Sequence, residues 1–250
     1  MIKSNTGFFS KIEPFGTVDG PGVRTVFFLS GCPLRCVYCH NPETWAYQNG
    51  DTLTPDEVLK IVTRYRNYYG SEGGVTFSGG EPLSQPEFLI ETTSLLRQNG
   101  IHIALDTSGV GNPVYHQRVL ENINLVIYDL KAADSDLYRR ITSQRIDPTE
   151  AFLATVQKME IPMWIRQVIV PKLNDTPENL EATAQKIARL RNVEKVELLP
   201  YHTMGKAKYD TLKIEYPLGK TPDMDVETCK ELNEYLLKRI NEIKQENANR

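Results

Sequence analysis

At 250 residues, with 40% hydrophobic and 24% charged residues, the chain can bury a large core and is too mixed in composition for a collagen or a disordered tail. Its 29 basic residues are scattered among 32 acidic ones for a net charge of -3, which leaves no basic stripe for nucleic acid. No run approaches the roughly 20 apolar residues of a membrane span, and MIKSNTGFFSKIEPFG lacks the apolar core and cleavage site of a secretory signal. The expected location is therefore the cytoplasm, where clustered cysteines serve metals or redox chemistry rather than structural disulfides.

Val23 to Leu29 (VRTVFFL) is β-branched and aromatic and stops at Ser30-Gly31, the pattern of a buried strand feeding a loop. Cys32, Cys36 and Cys39 fall in that loop. Thr54-Pro55-Asp56-Glu57 opens a helix to about Tyr69, with a threonine cap, proline in the first turn and acids at the positive end of the dipole. A strand from Gly74 to Phe77 follows, then a helix from Pro86 to Gln98 stopped by Gly100, a strand from Ile101 to Leu105 and a helix from Pro113 to Glu121. Asn124 to Leu130 is a strand, Ser135 to Met159 a helix interrupted around Arg145 to Pro148, and Pro162 to Val170 a strand. Thr176 caps a helix to about Leu190, Val193 to Leu199 is the sixth strand, and a last helix starts near Val226.

Six strands alternating with helices predict an α/β fold with a parallel sheet and right-handed crossovers. Six repeats rather than eight predict an open, partial (β/α)6 barrel of TIM-like type. No composition break divides the chain, so a single domain is expected, with a core over about 16–210 and a helical segment over about 216–250. The carboxyl ends of the strands carry the cysteine loop, Ser78-Gly79-Gly80-Glu81, Asp106-Thr107-Ser108, Asp129 to Lys131, and His202. In parallel α/β sheets such ends face one mouth, where ligands bind.

Taken from the residues alone, Cys32, Cys36, Cys39 and His40 admit four readings. Three buried thiols without function would be a dense accident. A Cys3His zinc set asks adjacent residues, Cys39 and His40, to converge on one ion. Cys36-Val37-Tyr38-Cys39-His40 matches a haem-attachment pattern but leaves Cys32 unused. An iron–sulfur cluster held by thiolates is the fourth; three protein ligands would leave one iron of four open to a substrate, as an open position does in catalytic zinc sites.

Cys32-x3-Cys36-x2-Cys39, with Tyr38 before the last cysteine, resembles the signature of the radical S-adenosylmethionine enzymes. Gly16-Thr17-Val18-Asp19-Gly20-Pro21-Gly22-Val23-Arg24 and Cys39-His40-Asn41-Pro42 are similar to the glycyl-radical-enzyme activating enzymes. Glu43-Thr44-Trp45, and Leu198 to His202 with Gly205-Lys206, resemble their pyruvate formate-lyase branch. The similarity runs from about Gly16 to Tyr209; Thr44 to Leu53 lacks the cysteine-rich insert of other branches, which argues against auxiliary clusters.

The resemblance implies one [4Fe-4S] cluster on Cys32, Cys36 and Cys39, and S-adenosylmethionine chelating the open iron. Reductive cleavage would then give a 5′-deoxyadenosyl radical that takes hydrogen from a glycine Cα of a partner, pyruvate formate-lyase. It also implies a flavodoxin or ferredoxin as electron donor; we expect a monomer. Ser78, Gly79, Gly80 and Glu81 correspond to the methionine-binding motif, where missing Cβ atoms would let backbone groups approach the ligand's ammonium. The resemblance places Asp129, Leu130 and Lys131 at the cofactor, where Lys131 would neutralise the methionine carboxylate or contact the ribose, the alternative being that Asp129 and Lys131 form only a surface ion pair. It assigns His202 to ribose or adenine and Tyr38 to His40 to the adenine edge. Lys131 joins the cysteines in the catalytic set.

Arg166 inside an apolar strand needs an anionic partner, either the cofactor carboxylate or a buried salt bridge. Asp106, Thr107 and Asp129 are assigned to a monovalent cation, and Asp19-Gly20 to the partner's glycine loop. Gly219-Lys220-Thr221 lacks the preceding strand and glycine of a phosphate loop, and Cys229 is expected to be an inert thiol. The competing functions are activation of a different glycyl-radical partner or a small-molecule reaction, and a zinc-stabilised binding module without catalysis.

Overall fold

A computed structural model describes residues 6–249. Met1–Asn5, part of the stretch tested above for a leader, lie outside the described residues. In chain order the elements are β1 (Gly7–Gly16), β2 (Arg24–Leu29), β3 (Asp51–Leu53), α1 (Pro55–Tyr65), β4 (Gly74–Gly79), α2 (Pro86–Gln98), β5 (Ile103–Thr107) and α3 (Pro113–Leu120). They continue with β6 (Leu125–Asp129), α4 (Ser135–Thr142), α5 (Asp147–Lys158), β7 (Met163–Ile169), α6 (Pro177–Ala188), β8 (Val193–Pro200), α7 (Lys206–Leu212) and α8 (Val226–Ala248). Among the described residues no helix is long and apolar enough to cross a membrane.

The chain divides into two compact units. The first comprises the described part of Met1–Pro33 with Glu43–Tyr128 and Asp147–Pro162; the second comprises Leu34–Pro42, Asp129–Ile146 and the described part of Met163–Arg250. In the first unit the strands lie in the order β3-β1-β2-β4-β5-β6. β2, β4, β5 and β6 run parallel, and β1 and β3 add an antiparallel edge. Val26, Phe27 and Leu29 of β2 and Val75 and Phe77 of β4 are fully buried, because a parallel strand has no solvent face and reads as a continuous apolar run. In the second unit β7 and β8 pair in parallel, and α8 packs on α6 and β8.

All six expected strands are present, as are the expected helices. Thr54 makes the capping box with Glu57 that its sequence announces, with Pro55 in the first turn. The long helical stretch is interrupted as expected but about two residues earlier: α4 ends on Ser143 in the left-handed conformation, φ 62°, and α5 begins at Asp147, taking Pro148 into its first turn. Two antiparallel strands and one helix fall outside the expected elements. β1 contains Pro14 and two register shifts against β2, so its apolar alternation is broken. β3 is three residues long, and α7 is a single short helix in a polar stretch.

Candidate active site

In the first unit the end of β4 is tied to the end of β2. Gly79 sits opposite Leu29, the Gly80 N–H donates to the Leu29 carbonyl at 2.8 Å, and the Glu81 N–H donates to the Gly31 carbonyl at 2.9 Å. Gly79 has φ +109°, and a Cβ there would lie 2.4 Å from the Leu29 nitrogen; one on Gly80 would lie 2.6 Å from the Gly31 oxygen. Both glycines are thus required by approach of the chain to itself, next to the residue that precedes Cys32. The space left by the missing side chains at these two positions is taken up by β2 and the start of the cysteine loop.

Glu81 is 1% exposed. Its carboxylate accepts from Thr107 Oγ1 and Ser108 Oγ at 2.5 Å each, from Ser108 N at 3.0 Å and from Leu83 N at 3.1 Å. Burial pushes its pKa up and these donors pull it back, leaving it above the ordinary glutamate value. The glutamate therefore locks the end of β4 to the end of β5. Beside it, Ser78 Oγ donates to Asp106 Oδ2 at 2.7 Å, and Thr107 Oγ1 also accepts the Gly109 N–H at 2.9 Å.

The cysteine loop is pinned on both sides. In the first unit Gly31 N–H donates to Thr44 C=O at 2.7 Å and Cys32 N–H to Trp45 C=O at 3.3 Å. In the second, Arg35 N–H and Val37 N–H donate to Thr142 and Ile141 C=O, both at 2.9 Å. The loop thereby satisfies carbonyls at the carboxyl end of α4 that the helix itself leaves unpaired. Cys32 and Cys36 are buried, Cys39 is half-buried, and none of the three is in a disulfide. Burial pushes the Cys36 thiol up to about 12, against the pull of the Lys131 ammonium.

Lys131 is ion-paired with Asp129 Oδ2, its side chain 11% exposed, and its ammonium stands 5.5 Å from the Tyr38 ring centroid. Burial opposes the charge, but Asp129 and Cys36 outweigh it and hold the lysine well above its usual range. The pair is therefore not a surface ion pair. Tyr38 is buried beneath it. Leu130 is buried, and its N–H donates to the Arg166 carbonyl at 2.7 Å. His40 and His202 stack with centroids 4.0 Å apart, and His40 Nε2 lies 2.9 Å from the His202 carbonyl. A carbonyl only accepts, so that nitrogen carries a proton and is not a zinc donor. Burial lowers the His40 pKa.

Arg166 meets the salt-bridge alternative: its Nε donates to Glu197 Oε2 at 3.2 Å, across the β7–β8 register that sets these residues opposite each other. Asp19 and Gly20 lie at the amino end of β2, the opposite end from Gly31 and Cys32. Six strand residues at about 3.3 Å each separate the two by on the order of 20 Å. Their loop is held by the fully buried Arg24, which donates to Pro21 C=O at 3.0 Å and to Thr76 Oγ1 at 2.7 Å, while Thr76 donates to Asp19 C=O at 2.7 Å. Among the described residues no three His, Cys, Asp or Glu side chains converge as a ready-made metal cage.

A family model described as the Radical SAM superfamily matches residues 26–187. The chain belongs to the radical SAM superfamily. It is 48% identical over 231 residues to the pyruvate formate-lyase-activating enzyme of Clostridium pasteurianum, covering 92% of this chain and 97% of that one. To the pyruvate formate-lyase-activating enzyme of Streptococcus mutans it is 39% identical over 230 residues, covering 87% and 88%. A solved domain of the pyruvate-formate lyase-activating enzyme from Bacteroides vulgatus is 30% identical with a TM-score of 0.53, over 67% of this chain and 94% of that chain. SuiB of Streptococcus suis, bound to precursor peptide SuiA, shares the fold at 14% identity with a TM-score of 0.68, over 88% of this chain and 46% of that chain. The α/β fold, mostly parallel, is thus the partial barrel of radical SAM proteins, as six repeats implied.

Radical SAM membership implies a [4Fe-4S] cluster and S-adenosylmethionine, and the residues fit both. Three cysteines outside any disulfide, in a pinned loop, supply soft thiolate donors once deprotonated. In the second unit Tyr38 OH, Asp129 Oδ1 and His202 Nδ1 are buried without a protein hydrogen-bond partner, which suits a polar ligand, since such atoms are costly to leave unmatched. Ser108 in the first unit contacts Glu81, and in the second unit Glu197 contacts Arg166 while Gly205, Lys208 and Tyr209 contact His40, Asn41 and Cys39; none of the five carries a role in the sequence reading. Glu197 meets Arg166 through the register of β7 against β8, which no single-sequence pattern exposes. Gly205, Lys208 and Tyr209 follow His202 at helical spacing, a signal that was available.

Proposed function

We infer that this chain activates pyruvate formate-lyase by generating a glycyl radical on it. The observation that carries the inference is the Cys32-x3-Cys36-x2-Cys39 loop, pinned at both ends, in a chain 48% identical over 97% of the length of an enzyme named for that activity. When bound, the [4Fe-4S] cluster and S-adenosylmethionine supply one-electron reductive cleavage to a 5′-deoxyadenosyl radical that takes hydrogen from the partner's glycine Cα.

The residues of the chain divide the remaining work. Cys32, Cys36 and Cys39 hold the cluster, and the Lys131 ammonium beside Cys36 offsets thiolate charge and attracts the methionine carboxylate. Asp129, through its unpartnered Oδ1, takes a donor of the nucleoside or the methionine ammonium, and His202 Nδ1 takes a ribose or adenine contact. The backbone of Ser78, Gly79 and Gly80 borders the methionine, held in place by Glu81, which acts as a positioning residue. Leu130, Tyr38 and His40 line the nucleoside, and Arg166, paired with Glu197, adds positive charge for the cofactor carboxylate. Asp19 and Gly20 contribute to docking the partner rather than to the chemistry, and Asp106, Thr107 and Asp129 take a monovalent cation. A flavodoxin or ferredoxin supplies the electron, and the chain works as a monomeric single domain in the cytoplasm.

Anaerobic reconstitution with iron and sulfide, followed by reduction with S-adenosylmethionine present, should yield 5′-deoxyadenosine, and Cys36→Ala should yield none. A colourless protein carrying one zinc and no sulfide would contradict the assignment.

A further inference from the structure

The segment from His202 to Tyr209 lies across Cys39, His40 and Asn41, all within the second unit. His40 is held by its hydrogen bond to the His202 carbonyl at 2.9 Å and by stacking on the His202 ring. Gly205 presses on the same residue so closely that a Cβ there would lie 2.9 Å from the His40 Cα. Lys208 Nζ donates to Asn41 Oδ1 at 2.8 Å, and Tyr209 OH donates to the Cys39 carbonyl at 3.0 Å. Three consecutive residues of the loop are thus tied from one short segment. That segment is itself anchored: Tyr209 is fully buried with its ring edge-on to Tyr216 at 4.9 Å, Tyr216 OH meets Tyr201 OH at 2.5 Å, and Thr203 N–H donates to Asp223 at 2.7 Å.

We propose that His202–Tyr209 is a clasp that fixes the backbone of the third cysteine, with Tyr209 as a positioning residue for Cys39. This rests on the reading of Cys39 as a cluster ligand. The Cys39 N–H donates to the Cys36 carbonyl at 3.0 Å, and Tyr209 holds its C=O, so both peptide planes flanking the Cys39 Cα are fixed. With φ and ψ determined, only χ1 remains to place the sulfur, and χ1 has three staggered wells. A ligand restrained to so few positions binds metal with little ordering to complete. The same clasp sets the His40–His202 stack, so holding the cysteine and orienting the imidazoles are one structural event.

The test compares wild type, Tyr209→Phe and Lys208→Ala, each reconstituted anaerobically. Tyr209→Phe keeps the ring against Tyr216 and removes only the donor to Cys39. Its cluster should be stripped by a ferrous chelator about fivefold faster, the factor expected for one hydrogen bond. The electron paramagnetic resonance spectrum of the reduced cluster should change, as should the shift that S-adenosylmethionine induces in it. Lys208→Ala should move the same readouts in the same direction by a smaller factor, and it decides the matter if Tyr209→Phe does not fold. Unchanged chelation rates and spectra, even with a lowered melting temperature of the metal-free protein, would reduce the clasp to ordinary packing and overturn the proposal. If Cys39→Ala retains the complete cluster, it is the ligand reading that fails, whatever the clasp variants show.

Discussion

Glu81 offers a test of whether the Gly-Gly-Glu motif works through its carboxylate as an anchor or as a ligand contact. Replacing it with alanine leaves four buried donors without their acceptor: the hydroxyls of Thr107 and Ser108 and the N–H groups of Ser108 and Leu83. The hydroxyls can rotate toward other acceptors, but the two N–H groups cannot. At about 1–3 kcal/mol for each orphaned buried donor, Glu81→Ala should lose about 2–6 kcal/mol, a large part of the stability of an ordinary domain. Glu81→Gln keeps one acceptor oxygen and turns an amide toward the donors on the other side, so about 1–3 kcal/mol should be lost. Urea unfolding of the metal-free protein measures both as shifts of the midpoint at constant slope. If Glu81→Ala unfolds within about 1 kcal/mol of wild type, the anchoring argument is wrong and the carboxylate must act on a ligand.

Two further outcomes follow from the same geometry. Lys131→Met should retain the cluster, destabilise the metal-free protein by about 1–3 kcal/mol through the uncompensated and partly exposed Asp129, and cut 5′-deoxyadenosine formation at least about tenfold; cluster loss as complete as in Cys36→Ala would show that the lysine is structural. His102, held down to about 4 by burial and by the Arg24 guanidinium 3.1 Å from its Nδ1, has a folded pKa below its unfolded one. Its contribution is therefore fully present above about 6.5 and is lost as pH falls through about 4. Urea midpoints should decline over that window, and His102→Gln should flatten the decline; parallel curves for the two proteins would remove His102 from the acid sensitivity.

The parallel strands were legible because their sequences carry the physics of their setting. VRTVFFL and NLVIYDL are apolar on both faces, as buried parallel strands must be, and the polar residues at their carboxyl ends announced the working end of the sheet. β1 was not legible because Pro14 and its bulges interrupt the alternation that marks an antiparallel strand. At the site, the identity of the chemical residues was available from spacing, but their partners were not. Arg166 promised an anion; that the anion is Glu197 depends on the register of β7 against β8. The glycines of Ser78-Gly79-Gly80-Glu81 were visible as a requirement for close approach, yet only the fold tells that the approaching group is Leu29 and Gly31. Lys131 and Asp129, two residues apart on a strand end, resembled a surface pair until Tyr38 and Cys36 were found packed around the ammonium.

The most direct measurement is electron paramagnetic resonance on a mixture of the anaerobically reconstituted, reduced protein, S-adenosylmethionine and pyruvate formate-lyase. A glycyl radical doublet on pyruvate formate-lyase, absent when Cys32, Cys36 or Cys39 is replaced by alanine, is the expected result. S-Adenosylmethionine cleaved without any radical on that partner would contradict the assigned substrate, and a radical formed equally well by the cysteine variants would contradict the chemistry itself.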